Sequence, residues 1–272
     1  MGLMKWNEDT IARLEKEGRG MGTGAHYTPW IKTSDFSSQG TSRRVWSDLT
    51  RRIHELLSNI EFYLFLWLEW SRNTVDIREE FPLDRRVTSE VARQLRIRHP
   101  SYPTTNVLTV MTVDFFVTLE HKGERKHIAF SAKDDSAIED ENELSKLEII
   151  RETLAQLEVE HFLILKSTLP MDPINNMIWI RGASLKSAEI EPWSGAFDEF
   201  ALSMKSGIQS ANQTMPLNEY CTSFDQTHGQ PGGTGLRVAR LLMQKKWLLP
   251  PMYKPNLESV AVGEFKTSAL NI

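Results

Sequence analysis

Residues 107–133, VLTVMTVDFFVTLEHKGERKHIAFSAK, are the stretch on which the fold prediction depends. Residues 107–119 are rich in valine and phenylalanine and predict a long strand, and residues 127–133 predict a second one. The polar residues 120–126 between them predict a turn, so the two strands are expected to form a hairpin. Asp114 lies among apolar neighbours, where a carboxylate without a partner or a metal is costly. This acid is therefore a candidate functional residue.

A helix is predicted upstream of the hairpin, from residue 58 to about residue 71. Its residues are apolar on nearly every side, which is typical of a buried helix. Ser58 and Glu61 have the spacing of a capping box, in which the glutamate satisfies the backbone at the start of its own helix. Glu61 is thus open to two interpretations, a capping residue or an acid delivered to a site by the helix start.

Further elements complete an α/β order. A short amphipathic helix is predicted within residues 1–16, and the glycine-rich residues 17–24 are either a flexible connector or a phosphate-binding loop. The remaining predictions for this half are a strand at 75–81, a loop at 95–103, a helix at 139–158 and a short buried strand at 161–167.

The residue composition changes after residue 169, where prolines and asparagines indicate a domain boundary. Helical stretches are predicted at 185–210, 215–222 and 236–246, followed by two short strands at 247–251 and 258–262. A helix followed by such a ribbon resembles a winged-helix module. The sequence therefore predicts two domains, residues 1–169 and residues 170–272.

Composition limits the classes of function. The chain has 272 residues, a net charge of −4 and a pI near 6.0, which argues against coating nucleic acid by bulk charge. The single cysteine, Cys221, excludes an intrachain disulfide or a cysteine zinc site, which fits a reducing, cytoplasmic location. The most apolar run, residues 60–70, is too short to span a bilayer, so no membrane association is expected.

A local basic surface is still present in residues 40–54. Its candidate DNA-contacting residues are Arg43, Arg44, Arg51 and Arg52. Arginines with an interleaved aromatic residue, here Trp46, suit a phosphate backbone. The alternative is a solvated arginine face without a nucleic-acid ligand.

Three residues form a pattern typical of restriction-enzyme-type nucleases. Glu61 and Asp114 are expected to bind Mg²⁺, which needs only one or two carboxylates because it keeps several waters, and Mn²⁺ is expected to be able to replace it. A backbone carbonyl of Ser131 or Ala132 is a further candidate metal ligand. Lys133 is expected to orient the attacking water or to stabilise the charge that develops on the phosphate. These residues predict phosphodiester hydrolysis.

Six segments extend this pattern to a family resemblance. They are EGRGMG (17–22), YTPW (27–30), RIHELLSNIE (52–61), DIREEFPL (76–83), IRHP (97–100) and MTVDF (111–115). Together they resemble TnsA, the endonuclease subunit of heteromeric transposases of the Tn-seven type. The resemblance implies a restriction-endonuclease-like (PD-(D/E)xK) catalytic domain followed by a winged-helix domain. Beyond residue 170 the resemblance is limited to the general character of the sequence and includes no specific motif.

The resemblance also implies an activity and partners. The activity is Mg²⁺-dependent cleavage of the 5′ strands at transposon ends. The partners are double-stranded DNA, a TnsB-like transposase that processes the 3′ strands, and a TnsC-like AAA+ ATPase. In that family, the residues at the positions of Glu61, Asp114 and Lys133 carry catalysis. Ser131 is a departure, because a glutamine is familiar at its position.

Three other interpretations stay open at the level of sequence. The first is a non-catalytic subunit that keeps a nuclease-like domain as a docking platform. The second is a free-standing restriction or repair nuclease that needs no partner. The third is a DNA-binding regulator acting through the C-terminal winged helix.

Overall fold

The computed structural model describes residues 5–35, 41–103, 105–184 and 195–268. The chain divides into two compact units, residues 1–169 and residues 170–272. No described helix is both long and apolar enough to cross a membrane.

The first unit contains four helices and six strands among its described residues. In chain order they are α1 (Glu8–Lys16), β1 (Arg43–Ser47), β2 (Arg52–Leu56), α2 (Asn59–Trp70), β3 (Thr74–Pro82), α3 (Arg85–Leu95), β4 (Thr112–His121), β5 (Glu124–Lys133), α4 (Glu141–Ala155) and β6 (Glu160–Leu165).

The central sheet has the strand order β3-β4-β5-β6. The first two junctions are antiparallel, and β5 and β6 are parallel because α4 carries the chain from one to the other. Side chains of α3 and α4, such as Val91 and Ile149, pack on Val113, Phe116 and Ala129 of the sheet. The prediction of a mixed α/β architecture is confirmed.

The hairpin of β4 and β5 is tighter than the sequence predicted. Its turn is Lys122-Gly123, with φ of 53° and 84°, and two residues with positive φ are the usual hairpin turn. Strand β5 consequently begins at Glu124, within the predicted turn at 120–126. Residues 107–111 lie outside β4, apart from an isolated bridge between Ser101 and Leu108, so this part of the strand prediction was wrong.

Helix α2 is buried, as its composition predicted. Ser58 caps it by accepting a hydrogen bond from the N–H of Glu61 at 3.1 Å. Seven of its residues are buried, including Phe65 at 0% exposure. The start of this helix, and with it Glu61, is therefore fixed in the core.

Several elements were not predicted from the sequence or were predicted wrongly. Residues 40–54 were interpreted only as a basic stretch, yet they contribute β1 and most of β2, which form an antiparallel hairpin. Helix α3 was missed. Strand β6 lies at an edge of the sheet and is not buried as predicted, since Phe162 is 45% exposed.

The glycine-rich loop is packed against the unit, which corrects its interpretation as a flexible connector. Gly20 donates its N–H to the carbonyl of Thr28 at 2.6 Å. A Cβ at Gly20 would lie 2.2 Å from Cγ of Pro82, and the φ of this residue is 75°. Only glycine permits both the close approach and the backbone conformation.

The second unit contains α5 (Met171–Arg181), α6 (Ala196–Ser210), α7 (Leu217–Thr227), α8 (Thr234–Gln244), β7 (Leu248–Leu249) and β8 (Lys266–Thr267). Strands β7 and β8 pair antiparallel after α8. The strand predicted at 258–262 was wrong, because 3-10 turns occupy Leu257–Ser259 and Val262–Glu264. The residues taken as boundary signals, such as Pro173, lie in α5. Residues 185–194 of the predicted helix at 185–210 lie outside the described residues.

Candidate active site

Asp114 and Lys133 meet across the β4–β5 hairpin. Nζ of Lys133 lies 3.6 Å from Oδ2 of Asp114. The same carboxylate oxygen accepts a hydrogen bond from the N–H of Ala132 at 2.6 Å. Asp114 is 9% exposed, so a backbone donor and a neighbouring cation hold its buried carboxylate in one orientation.

Glu61 approaches the same place from the start of α2. Its Oε2 accepts a hydrogen bond from the N–H of Leu57 at 2.7 Å, and the residue is 7% exposed. The charges of Asp114 and Lys133 both act on its carboxyl group. Leu57 lies one residue before the cap residue Ser58, so this bond anchors Glu61 at the helix start without the reciprocal bond of a capping box. The group also lies within electrostatic reach of Asp114.

Electrostatics distinguish the roles open to these groups. Burial, followed by repulsion from Asp114, raises the pKa of Glu61 to about 7, against the opposing effect of Lys133. The Asp114 carboxylate raises the pKa of Lys133 above its ordinary value. Lys133 is therefore protonated at neutral pH, which suits a fixed positive charge and not a general base.

Ser131 and Ala132 of β5 lie across the hairpin from Asp114 of β4. Ser131 is 2% exposed, and its Oγ lies 2.9 Å from Nε2 of His161 on β6. His161 also lies within reach of the Asp114 charge, which opposes the lowering of the His161 pKa by burial. The serine hydroxyl is thus oriented by a partner from the neighbouring strand.

Glu80 of β3 is a further acid near these residues that sequence reasoning missed. It is 4% exposed and accepts a hydrogen bond from Oγ1 of Thr112 at 2.9 Å. Burial, followed by repulsion from Asp114 and Glu61, raises its pKa well above the ordinary value. No comparable signal marked it in the sequence, because β3 (TVDIREEFP) already carries Asp76, Arg78 and Glu79 and is not an apolar run.

The donor set fits a divalent ion that needs few protein ligands. Among the described ranges, no three His, Cys, Asp or Glu side chains are placed to hold a metal by themselves. Two repelling carboxylates match the preference of Mg²⁺ for oxygen ligands and retained water. A cation between them would relieve the repulsion that raises the pKa of Glu61.

Arg52 is buried, so its predicted contact with DNA was wrong. It is 7% exposed, and its guanidinium donates to both carboxylate oxygens of Glu79 and, at 2.8 Å, to the carbonyl of Ile77. His54 lies 2.7 Å from the same carboxylate through Nδ1. Arg52 therefore joins the β1–β2 hairpin to β3, and its guanidinium is buried away from a phosphate.

The other three arginines lie at the surface of the hairpin. Arg43 donates to Oδ1 of Asn59 at 2.9 Å and lies 4.5 Å from the ring centre of Phe62. Asn59 lies two positions before Glu61, and Phe62 follows it directly. Arg44 is paired with Glu55 at 3.2 Å and remains 64% exposed. Arg51 is exposed with a φ of 55° at the hairpin turn. The structure thus places Arg43 beside the start of α2.

Comparisons with known proteins match the part of the chain that carries two of the three candidate catalytic residues. Residues 71–166 match the family described as TnsA-like endonuclease, N-terminal, a stretch that includes Asp114 and Lys133. The transposon Tn7 transposition protein TnsA of Escherichia coli is 36% identical over 185 residues. That match covers 68% of this chain and 66% of the relative, just under two thirds of its length.

Proposed function

Because this chain belongs to the TnsA-like endonuclease family, we propose that it cuts DNA at transposon ends in a divalent-metal-dependent reaction. Within that proposal, it cleaves the 5′ strands as part of cut-and-paste transposition. The family resemblance predicted from the sequence motifs is confirmed by the comparisons. The observation that carries the activity is the convergence of Glu61, Asp114 and Lys133 on one place.

Phosphodiester hydrolysis joins a water oxygen to phosphorus and breaks a bridging P–O bond. Glu61 and Asp114 would hold Mg²⁺, with a carbonyl of Ser131 or Ala132 as a further ligand. When bound, the ion supplies charge that polarises the phosphate and lowers the pKa of water. The Ala132 N–H keeps Asp114 in a fixed orientation for this task.

Lys133 supplies a fixed cation. Since the Asp114 carboxylate raises its pKa, the ammonium group keeps its proton at the pH of the reaction. Placed 3.6 Å from Asp114, it would orient the attacking water or stabilise the negative charge on the pentavalent phosphorus.

The exposed side of the β1–β2 hairpin would guide DNA to this site. Arg43, Arg44 and Arg51 are its contributors, and Arg43 lies beside the start of the helix that carries Glu61. The net charge of −4 is unsuited to independent high affinity for DNA. A TnsB-like transposase that recognises transposon ends would therefore deliver the protein, with a TnsC-like ATPase as regulator.

The second unit would serve assembly. The sequence of α8 followed by the antiparallel pair β7 and β8 supports a winged-helix assignment for residues 170–272. We expect this unit to bind a partner protein. Loss of ATPase or transposase capture on truncation after Leu169 would support that role, and unchanged capture would argue against it.

The activity is tested by mapping nicks on each strand of DNA that carries a transposon end. The reaction contains the full chain, the TnsB-like and TnsC-like partners and Mg²⁺. Asp114→Asn should remove the 5′-strand nicks and leave the 3′-strand cuts of the transposase in place. Glu120→Gln, which changes a partly exposed acid of the same strand β4 that pairs with Arg125, is the matched control and should cut like the unmodified protein. Persistent 5′ nicks in Asp114→Asn would refute the assignment, and cutting without partners would instead indicate a free-standing nuclease.

A further inference from the structure

Glu80 occupies a backbone conformation that its residue type normally avoids. Its φ is 47° within strand β3, in the left-handed region that favours glycine. Its carbonyl accepts a hydrogen bond from the N–H of Trp30 at 3.2 Å, and the hydroxyl of Tyr27 lies between this carbonyl and that of Glu79. Such conformations persist only where the surroundings impose them, and they cluster at functional sites.

This conformation occurs directly opposite Asp114. The pairs Glu79↔Phe115 and Phe81↔Val113 flank the position, so Glu80 of β3 faces Asp114 of β4. Like charges placed opposite each other on neighbouring strands destabilise a sheet, and burial strengthens their repulsion. A sheet under no other demand would be more stable with an apolar residue at position 80, which has no proton to lose.

Among the described residues, more than one buried carboxyl group interacts with the ammonium group of Lys133. The charge of Lys133 influences Glu61 and Glu80 as well as its neighbour Asp114. Three buried carboxyl groups therefore share one ammonium group. The hydroxyl of Thr112 fixes Oε2 of Glu80, which shows that the side chain is held in place and not simply tolerated.

We propose that Glu80 is a third acidic group of the divalent-ion site, acting on the ion through a water molecule of its coordination shell. The inference rests on the proposed function, because it assumes an ion held by Glu61 and Asp114. We assign Glu80 to the water shell and not to the direct ligands, in keeping with the described ranges, where no three acids or histidines are placed to hold a metal directly. Mg²⁺ retains several waters, and hydrogen-bond acceptors for its shell set affinity as the direct ligands do.

Binding of Mn²⁺ to the full chain, without DNA or partner proteins, tests this role. Titration calorimetry gives the Kd for the unmodified protein and for Glu80→Gln, in which the amide oxygen still accepts from Thr112. We expect the Kd of Glu80→Gln to rise roughly tenfold, as for other changes in the outer shell of a metal site. Asp114→Asn should remove binding altogether.

A neighbouring glutamate provides the matched control. Glu79 lies on the same strand and is equally buried, but its carboxylate is bound by Arg52 and His54. Glu79→Gln should lower the Tm and leave the Kd for Mn²⁺ unchanged. If Glu80→Gln does not fold, Thr112→Val removes the hydroxyl that orients Glu80 and should weaken Mn²⁺ binding in the same direction.

A Kd for Glu80→Gln within twofold of the unmodified value, with binding lost in Asp114→Asn, would overturn the inference and leave the proposed nuclease intact. Absence of Mn²⁺ binding in the unmodified protein would also overturn it. The nuclease assignment itself depends on the strand-specific nicks and their loss in Asp114→Asn, so the two failures are distinguishable.

Discussion

The ammonium group of Lys133 lies 3.6 Å from the carboxylate of Asp114, across the β4–β5 hairpin. The pair is only partly enclosed, because the Lys133 side chain is 32% exposed and that of Asp114 is 12% exposed. A phosphate entering this place would meet a cation already oriented by the acid next to it.

Lys133→Ala should reduce 5′-strand nicking by roughly 100-fold or more, the usual effect of removing one preorganised charge from a transition state. Capture of the protein by its transposase partner should be unchanged. Nick mapping and co-purification of the complex measure the two effects. Lys126→Ala, an exposed lysine on the same strand β5 that pairs with Glu160, is the control. Equal loss in both variants would show that the effect is structural.

Glu61 should make the stability of the metal-free protein depend on pH. Its folded pKa of about 7 exceeds its ordinary value of 4.5, so the native state holds a proton that the unfolded state releases. The free energy of unfolding should therefore fall as pH rises from about 4.5 to about 7. Glu61→Gln should flatten this dependence in urea unfolding measured across that interval. An unchanged slope would contradict the assignment.

The same carboxyl group should make metal binding pH-dependent. Since a carboxylate must be ionised to bind a divalent ion, the affinity for Mn²⁺ should increase as pH rises through about 7. Calorimetric titrations at pH 6 and pH 8 measure this change. Affinity that is equal at both values would show that Glu61 does not contribute its charge to the ion.

Arg52→Met should destabilise the first unit by about 3–5 kcal/mol, because it leaves the charge of Glu79 buried without its main partner. Burial raises the pKa of Glu79, but the hydrogen bonds and charges of Arg52 and His54 outweigh it and lower the value to about 2. The stabilisation is complete above pH 4.5 and is lost as pH falls toward 2. Arg44→Met, which removes a pair with Glu55 in which the arginine is 64% exposed, should cost less than about 1 kcal/mol. Urea unfolding at pH 7 and pH 3 compares the two variants. Equal losses of the free energy of unfolding in both variants would contradict this prediction.

The surface arginines of the hairpin should affect DNA binding through salt dependence. Arg43→Ala and Arg51→Ala should each weaken binding of the assembled complex to DNA and reduce the slope of log K against log salt by about one. Fluorescence anisotropy between 50 and 200 mM salt measures the slope, a range in which phosphate contacts have a large effect (roughly tenfold or more for several contacts). Slopes equal to that of the unmodified complex would show that this face does not contact phosphate.

Local signals explain which elements could be predicted from the sequence. Helix α2 is indicated by the capping residue Ser58 and a run of apolar residues. The β4–β5 hairpin is indicated by β-branched and aromatic residues on both sides of a polar turn. Helix α3 was missed although local signals are present in its mostly polar sequence, RRVTSEVARQL, since Asp84 caps its start and Val87, Val91 and Leu95 recur four residues apart. Its helical state is stabilised by packing against α4 in a core that forms only when the chain has folded.

The arginine cluster shows the limit of composition. Arg51 and Arg52 are adjacent in sequence, and both match a basic surface by residue type. Arg51 is exposed at the hairpin turn, while Arg52 is buried on Glu79, 27 residues away. No local pattern distinguishes them, since the partner of Arg52 belongs to another sheet element.

The sequence by itself determined the order of the two acids and the lysine and the elements that carry them. Its motifs also determined the family resemblance. Only the tertiary structure decided what becomes of the glutamate pair at positions 79 and 80. Consecutive residues of a strand point to opposite faces, so Glu79 meets Arg52 and His54 while Glu80 meets Thr112 and lies opposite Asp114. One acid consequently keeps its charge at low pH and the other resists ionisation, because the charge of a buried carboxyl group depends on neighbours that distant parts of the chain supply.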